Sequence, residues 1–223
     1  SDYFTINPAS VKTGVSAIRF SLINFPVDIN HDELSFTTSL KSSTIFGRIK
    51  SANYGEFTDG DDSETLKAND IVMELGYKTT IRNVISAGIS GGYLQSRIAD
   101  ATSSGIYGSM GMRISMLENR LGIGLSLTHF GAQLDYYGET PETLPTAIRT
   151  GIYFKPLHLP ASLSFDNVNY LEEKNVQFIG GIEFYPSKNL VFRISSGNYK
   201  TELSTGEFSE DFFSGVAFGV GFE

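Results

Sequence analysis

Bulky apolar residues recur at every second position along most of this chain. Leu121, Ile123, Leu125 and Leu127 alternate with Gly122, Gly124, Ser126 and Thr128, and in a pleated strand that spacing gathers all the bulk on one face. The contrast returns in Ile71, Met73, Leu75 and Tyr77 against Glu74, Gly76 and Lys78, and in Ile106, Met110, Met112, Ile114 and Met116 against Tyr107, Ser109, Gly111, Arg113 and Ser115. Leu190, Phe192 and Ile194 face away from Arg193 and Ser195, and Phe212, Val216, Phe218, Val220 and Phe222 from Gly215, Ala217, Gly219 and Gly221. A helical period is hard to find anywhere. The pattern predicts about twelve strands, near 14–25, 33–42, 43–54, 68–80, 83–97, 104–116, 120–136, 144–155, 160–171, 175–186, 189–200 and 211–222. Glu118-Asn119, Tyr185-Pro186-Ser187-Lys188-Asn189 and Thr205-Gly206 supply short turns, and longer connections run over 58–69 and 138–145.

Which face is wet decides the fold class. In a soluble sandwich the bulky face is the core, and the other face should be rich in Lys, Glu, Thr and Gln. Here that second face is often Gly, Ala or Ser, only 19% of the chain is charged, and there are 23 glycines. A strand presenting Gly after Gly to water is weakened with no packing gain. If the bulky face meets lipid and the small face lines a crowded lumen, both features make sense. The strand spacing of about 15–20 residues is also wider than the 8–12 of an immunoglobulin-like sandwich and suits long barrel staves. Several aromatics, among them Phe25, Tyr77, Tyr136, Tyr137, Phe154, Tyr170 and Tyr185, fall near predicted strand ends, where the girdles of membrane barrels sit.

Composition narrows the remaining classes. A formal net charge of −8 argues against a nucleic-acid binder, and the absence of Cys leaves no disulfide framework or thiolate chemistry. The longest uncharged stretches, Asn83–Ser96 and Leu121–Leu134, are too short and too broken by Gly and Ser to make membrane helices, which need about 20 apolar residues. Mid-strand charges are more informative: Arg19, Arg48, Glu74, Lys78, Arg113, Arg149, Glu183 and Arg193. An Arg on a lipid face at the midplane costs about 2–4 kcal/mol, so these should project inward and pair. Glu74, Arg113, Glu183 and Arg193 alternate with the bulky set and are the candidates for an interior polar network bracing the wall or a plug. The competing reading is the plain exposed face of a soluble sheet.

The usual signatures of bond chemistry are weak. His31, His129 and His158 lie on different predicted elements with no metal-binding spacing. His129 falls on the bulky face beside Phe130, and strict alternation puts Ser126 and His129 on opposite faces, which denies them a nucleophile–base contact. No Gly-x-Ser-x-Gly elbow is present. The run Gly88-Ile89-Ser90-Gly91-Gly92 continues in strand period rather than opening a phosphate loop. The adjacent pairs Glu172-Glu173 and Glu210-Asp211 read as loop solvation. The acidic run Asp59 to Glu64 offers hard oxygens for calcium but lacks EF-hand spacing, so a solvated hairpin loop is the better reading. We therefore expect no enzyme, no catalytic residues, no cofactor and no metal.

Specific residues then resemble a known family. Phe4-Thr5-Ile6-Asn7-Pro8-Ala9-Ser10 is similar to the NPA segment of FadL-like outer-membrane proteins, particularly the PorV/PorQ family associated with type IX secretion. Asn53-Tyr54-Gly55-Glu56-Phe57 with its acidic loop resembles the PorQ branch. So do Gly131-Ala132-Gln133, Leu144-Pro145, Arg149-Thr150-Gly151 and His158-Leu159-Pro160 leading into Leu163-Ser164-Phe165-Asp166, taken in that order. The resemblance implies a barrel of about fourteen strands with an N-terminal plug, a count compatible with twelve given boundary error. It also implies a signal peptide and Gly-rich stretch before Ser1, and one or two further residues after Glu223.

The expectation is thus an all-β protein: a closed antiparallel up-and-down transmembrane β-barrel of about 12–14 strands. Residues 1–223 form one domain, with 1–13 an N-terminal segment or plug remnant and 14–222 the barrel strands. In the bacterial outer membrane it would serve as an accessory of type IX secretion or a passive conduit for small or hydrophobic molecules. Its partners would be outer-membrane lipids and secretion-system subunits, with no nucleic acid. The alternative is a soluble all-β binding or structural protein that assembles through its apolar face.

Overall fold

The computed structural model describes residues 6–14, 16–25, 29–58, 65–138, 143–173, 175–198 and 215–222. Twelve strands follow one another: β1 (Ala17–Asn24), β2 (Asn30–Leu40), β3 (Ser43–Thr58), β4 (Thr65–Ile81), β5 (Ile85–Ile98), β6 (Ala101–Met116), β7 (Leu121–Asp135), β8 (Ala147–Phe154), β9 (Ala161–Tyr170), β10 (Asn175–Ser187), β11 (Leu190–Gly197) and β12 (Val216–Phe222). Each pairs antiparallel with the next in a single sheet of order β1 to β12. The described pairings include none between β1 and β12. All twelve elements lie where the alternation predicts them, with β3 running on to Thr58 and β4 starting earlier, at Thr65. Short hairpins close through left-handed turn residues, Lys41 after β2, Arg82 and Asn83 after β4, and Leu117 to Asn119 after β6. Among the described residues no helix is long and apolar enough to cross a membrane.

The sheet is inside-out relative to a water-soluble protein. Ile123, Leu125 and Phe218 are 45%, 47% and 66% exposed, whereas Ser126 is 3% and Ser109 2% exposed. Val216, on the bulky face near the start of β12, is half-buried. Bulky residues pair across neighbouring strands in rows along the outside. One row runs Tyr77–Ile89–Met110–Leu127–Ile148 from β4 to β8, and another runs Ile85–Ile114–Ile123–Ile152–Phe165 from β5 to β9. The buried set is mostly small and polar: Ser35, Thr37, Thr44, Ser86, Ser90, Ser103, Ser104, Ser109, Ser126, Thr128 and Ser162.

Large side chains enter the interior where a facing glycine leaves room. The fully buried Phe46 ring of β3 lies over Gly76 of β4, where an added Cβ would stand 2.2 Å from its Cζ. Tyr107 of β6 covers Gly92 of β5 in the same way, at 2.3 Å. Gly76 and Gly92 are therefore ring seats.

Strict alternation breaks at His129 on β7. His129 takes φ +55, and the β6–β7 register shifts between Gly108 and Met110. This bulge inserts an extra residue, so both Thr128 and His129 turn inward before Phe130 resumes the outer face. The His129 ring packs against buried Tyr107, centroids 5.1 Å apart. The sequence expectation that His129 belongs to the bulky face, opposite Ser126, is corrected by this bulge.

Candidate functional site

The chain enters the sheet from the rim that carries the short turns, and its first described residues lie on the small, polar face. Pro8–Ser10 form a 3-10 turn capped by Asn7, whose Oδ1 accepts from the Ala9 amide at 2.9 Å. A proline at the first helical position suits this start, because its missing N–H would have had no partner. The turn packs on β4, β5 and β6. Asn7 Nδ2 donates to the Met112 and Leu125 carbonyls at 3.3 and 3.2 Å, and Ser126 Oγ donates to the Ile6 carbonyl at 2.7 Å. Lys78 donates to the Val11 carbonyl, and Val11 itself packs on Phe46. Farther along, the Gly14 amide donates to Ser39 Oγ on β2 at 2.9 Å. The seat is made by absence of side chains: a Cβ on Gly111 would stand 2.1 Å from Asn7 Oδ1, and one on Gly88 2.5 Å from the Pro8 backbone.

Deeper in, a charged cluster spans five strands, β2 to β6. Arg48 on β3 and Glu74 on β4 are direct cross-strand partners. Arg48 Nε and Nη2 each lie 2.9 Å from Glu74 Oε2. Ser90 Oγ donates to Glu74 Oε1 at 2.7 Å and the Tyr107 hydroxyl to Oε2 at 3.4 Å, while Glu33 approaches Arg48 at 3.8 Å. The carboxylate thus receives a full complement of donors, which a buried charge requires.

The four residues singled out from sequence all face inward, in three separate places. Glu74 belongs to the cluster just described. Arg113 on β6 instead donates to the Tyr153 hydroxyl of β8 at 2.9 Å and stacks over that ring at 5.0 Å. Glu183 and Arg193 are cross-strand partners on β10 and β11, paired at 2.7 Å, with Ser162 Oγ and the Tyr185 hydroxyl also donating to Glu183. Arg48, Ser90 and Tyr107, the partners of Glu74, were not in the predicted set. Their one signal was inward parity, and matching Arg48 to Glu74 needs the β3–β4 register, which is set by a bulge between Asn53 and Glu56.

Three of the expected girdle tyrosines also turn inward: Tyr185 to Glu183, Tyr137 to Ser96, and Tyr170 on the face of β9 that it shares with buried Val168. Ser96 and Tyr54 both donate to Asp70, which closes a polar layer toward the rim with the longer loops. Beyond it, at the far end of the β3–β4 hairpin, Lys67 and Glu56 pair at 2.7 Å in full exposure, and the hydrogen bond to Glu56 raises the Lys67 pKa above its ordinary value. The acidic run 59–64 and the pair Glu210-Asp211 lie outside the described residues. Among the described residues no group of three His, Asp or Glu side chains is placed to hold a metal ion.

The wall from β9 to β12 is wetter. Ser164, Arg193 and Ala217 are exposed on its inner face, and Gly181, Gly219 and Gly221 are half-buried. On the inner face, then, β4–β7 are covered by the N-terminal segment and by their own buried side chains, whereas β9–β12 are covered only in part, at Ser162, Val168 and Val191.

No family model matches the chain, and no curated protein matches it. Among solved structures the chain is similar to one described as a KdgM porin, with a TM-score of 0.42 and 12% identity, covering 82% of this chain and 91% of that one.

Proposed function

We propose that this protein is an outer-membrane β-barrel that conducts small polar solutes along the β9–β12 side of a lumen partly filled by its own N-terminal segment. The observation that carries the reading is the orientation of the sheet: Ile, Leu, Phe and Met ring the outside while Ser, Thr and paired charges fill the inside. In water that arrangement forfeits the main driving force of folding, whereas in hydrocarbon it is the stable one. Closure of β12 on β1 belongs to the proposal, because an open sheet edge in lipid leaves backbone groups unsatisfied at several kcal/mol each. The mechanism is steric and electrostatic, with no bond made or broken.

Reconstitution into liposomes tests this. The expected result is insertion that requires detergent, followed by swelling in isotonic solutions of small sugars and a cut-off as the sugar grows. A chain that remains soluble and monodisperse without amphiphile defeats the reading in favour of a soluble all-β protein.

A finer reading, an accessory of type IX secretion in the PorV/PorQ manner, is supported by the order of short motifs from Phe4 to Asp166 and by the Asn7-Pro8-Ala9 contacts with the strands. Co-purification with secretion subunits tests it, and a barrel that purifies alone favours the conduit.

A further inference from the structure

The outer belt is interrupted at one place. On β5 the outward position facing Thr79 of β4 and Met112 of β6 is Ala87, so bulk is missing beside the row Tyr77–Ile89–Met110–Leu127–Ile148. The gap is a cavity of about 580 Å³, open to the outside and lined almost wholly by carbon, with Tyr77, Ile89, Met110, Met112, Leu125 and Leu127 as its walls. It crosses four strand spacings of about 4.8 Å, or roughly 19 Å, comparable to the half-thickness of about 15 Å that one leaflet's hydrocarbon occupies. Strands tilted by about 35–45° carry such a row obliquely across the leaflet rather than along its plane. Two of its walls are methionines, whose flexible thioethers adapt to a mobile chain.

The rim below the groove is basic. The five short turns at this end carry one cation each: Lys41, Arg82, Arg120, Lys155 and Lys188. Arg82 closes the β4–β5 hairpin and Arg120 the β6–β7 hairpin, the two hairpins that form most of the groove. The Lys155 amide donates to the Arg120 carbonyl at 2.7 Å, which brings a third cation alongside. Among the described residues Arg82 and Arg120 have no ion-pair partner. Glu118 is the acid on the same turn as Arg120, and it is exposed. Thr79 at the groove's lower edge lies three residues from Arg82, about 10 Å along the strand, within reach of a long snorkelling side chain.

Resting on the membrane-barrel reading, we propose that this groove and rim are a binding site for one anionic phospholipid, an acyl chain lying over Ala87 and the phosphate held by Arg82 and Arg120. An apolar trough ending at cations matches the two ends of such a molecule, whereas a second copy of this chain would bring its own basic rim against this one. The site also fixes orientation, with the turn rim at the phospholipid leaflet.

Native mass spectrometry of the full chain in a neutral detergent, titrated with phosphatidylglycerol or phosphatidylcholine, tests the proposal. Phosphatidylglycerol should be retained about tenfold more tightly, and R82Q/R120Q should remove that preference. Ala87→Phe, which fills the trough from the outside, should lower retention of both lipids about tenfold. Retained β-sheet circular dichroism shows that each variant is folded, and if one fails to fold the other still decides. Equal retention of the two lipids by a detergent-requiring protein, indifference to the variants, or a dimer mass abolished by A87F overturns this site alone. Solubility without amphiphile overturns the membrane reading and the site together.

Discussion

Arg48 and Glu74 stand directly opposite each other on β3 and β4, their side chains 6% and 2% exposed, joined by a 2.9 Å ion pair inside the sheet. Removing one partner of such a pair strands the other charge. Glu74→Ala should therefore cost about 3–5 kcal/mol, whereas replacing both by apolar residues of similar volume should cost far less. Urea unfolding in micelles of the two single variants and the double variant measures the coupling. Additive losses would show that the two charges act independently.

The outer face makes the opposite demand. Leu75 is 60% exposed at the middle of β4. Leu75→Arg should lose about 2–4 kcal/mol if that face meets hydrocarbon, but stay within about 0.5 kcal/mol if it meets water. The unfolding midpoint in lipid micelles, compared at equal slope, separates the two environments.

These two predictions rest on features of unequal legibility. Which residues face out was readable along nearly every strand, because side-chain period in a strand is two and the apolar set keeps it. Alternation failed at His129, where a single bulge reverses parity and no local residue announces it. Partnership was harder still. Glu74 and Arg113 are both inward and both charged, yet one meets Arg48 and the other Tyr153, because partners are chosen by register and by the height of each residue on its own strand. The Glu183–Arg193 pair is no easier to see, since strict register from the turn at Lys188-Asn189 would set Glu183 opposite Ile194, and only the irregularity between Phe184 and Ser187 brings Arg193 across from it. The contacts of Asn7 had no signal in period or charge. They come from three glycines on separate strands, Gly88, Gly111 and Gly124, that register brings beneath one segment.

Those contacts make the N-terminal segment removable. Asn7→Ala forfeits the cap, worth about 0.5–2 kcal/mol, together with two hydrogen bonds to strand carbonyls. Gly111→Val places a Cβ 2.1 Å from where Asn7 Oδ1 now lies. Both variants should swell liposomes faster than the parent while keeping its β-sheet circular dichroism, because the strands pair without the segment. Unchanged flux in both would show that the segment does not restrict the path.

On the wetter wall, Glu183 and Arg193 pair at 2.7 Å with side chains 39% and 47% exposed, so both charges border the path that the proposed function requires. Glu183→Gln should leave the β10–β11 wall more positive, and Arg193→Gln more negative. In planar bilayers under a potassium chloride gradient, the first should move the reversal potential toward the chloride equilibrium value and the second toward potassium. The shift should be larger near 0.01 M salt than near 1 M, because the screening length falls from about 30 Å to about 3 Å over that range. A reversal potential unmoved by either substitution at low salt would mean that ions do not travel beside β10 and β11, and the conducting path would have to be sought elsewhere in the interior.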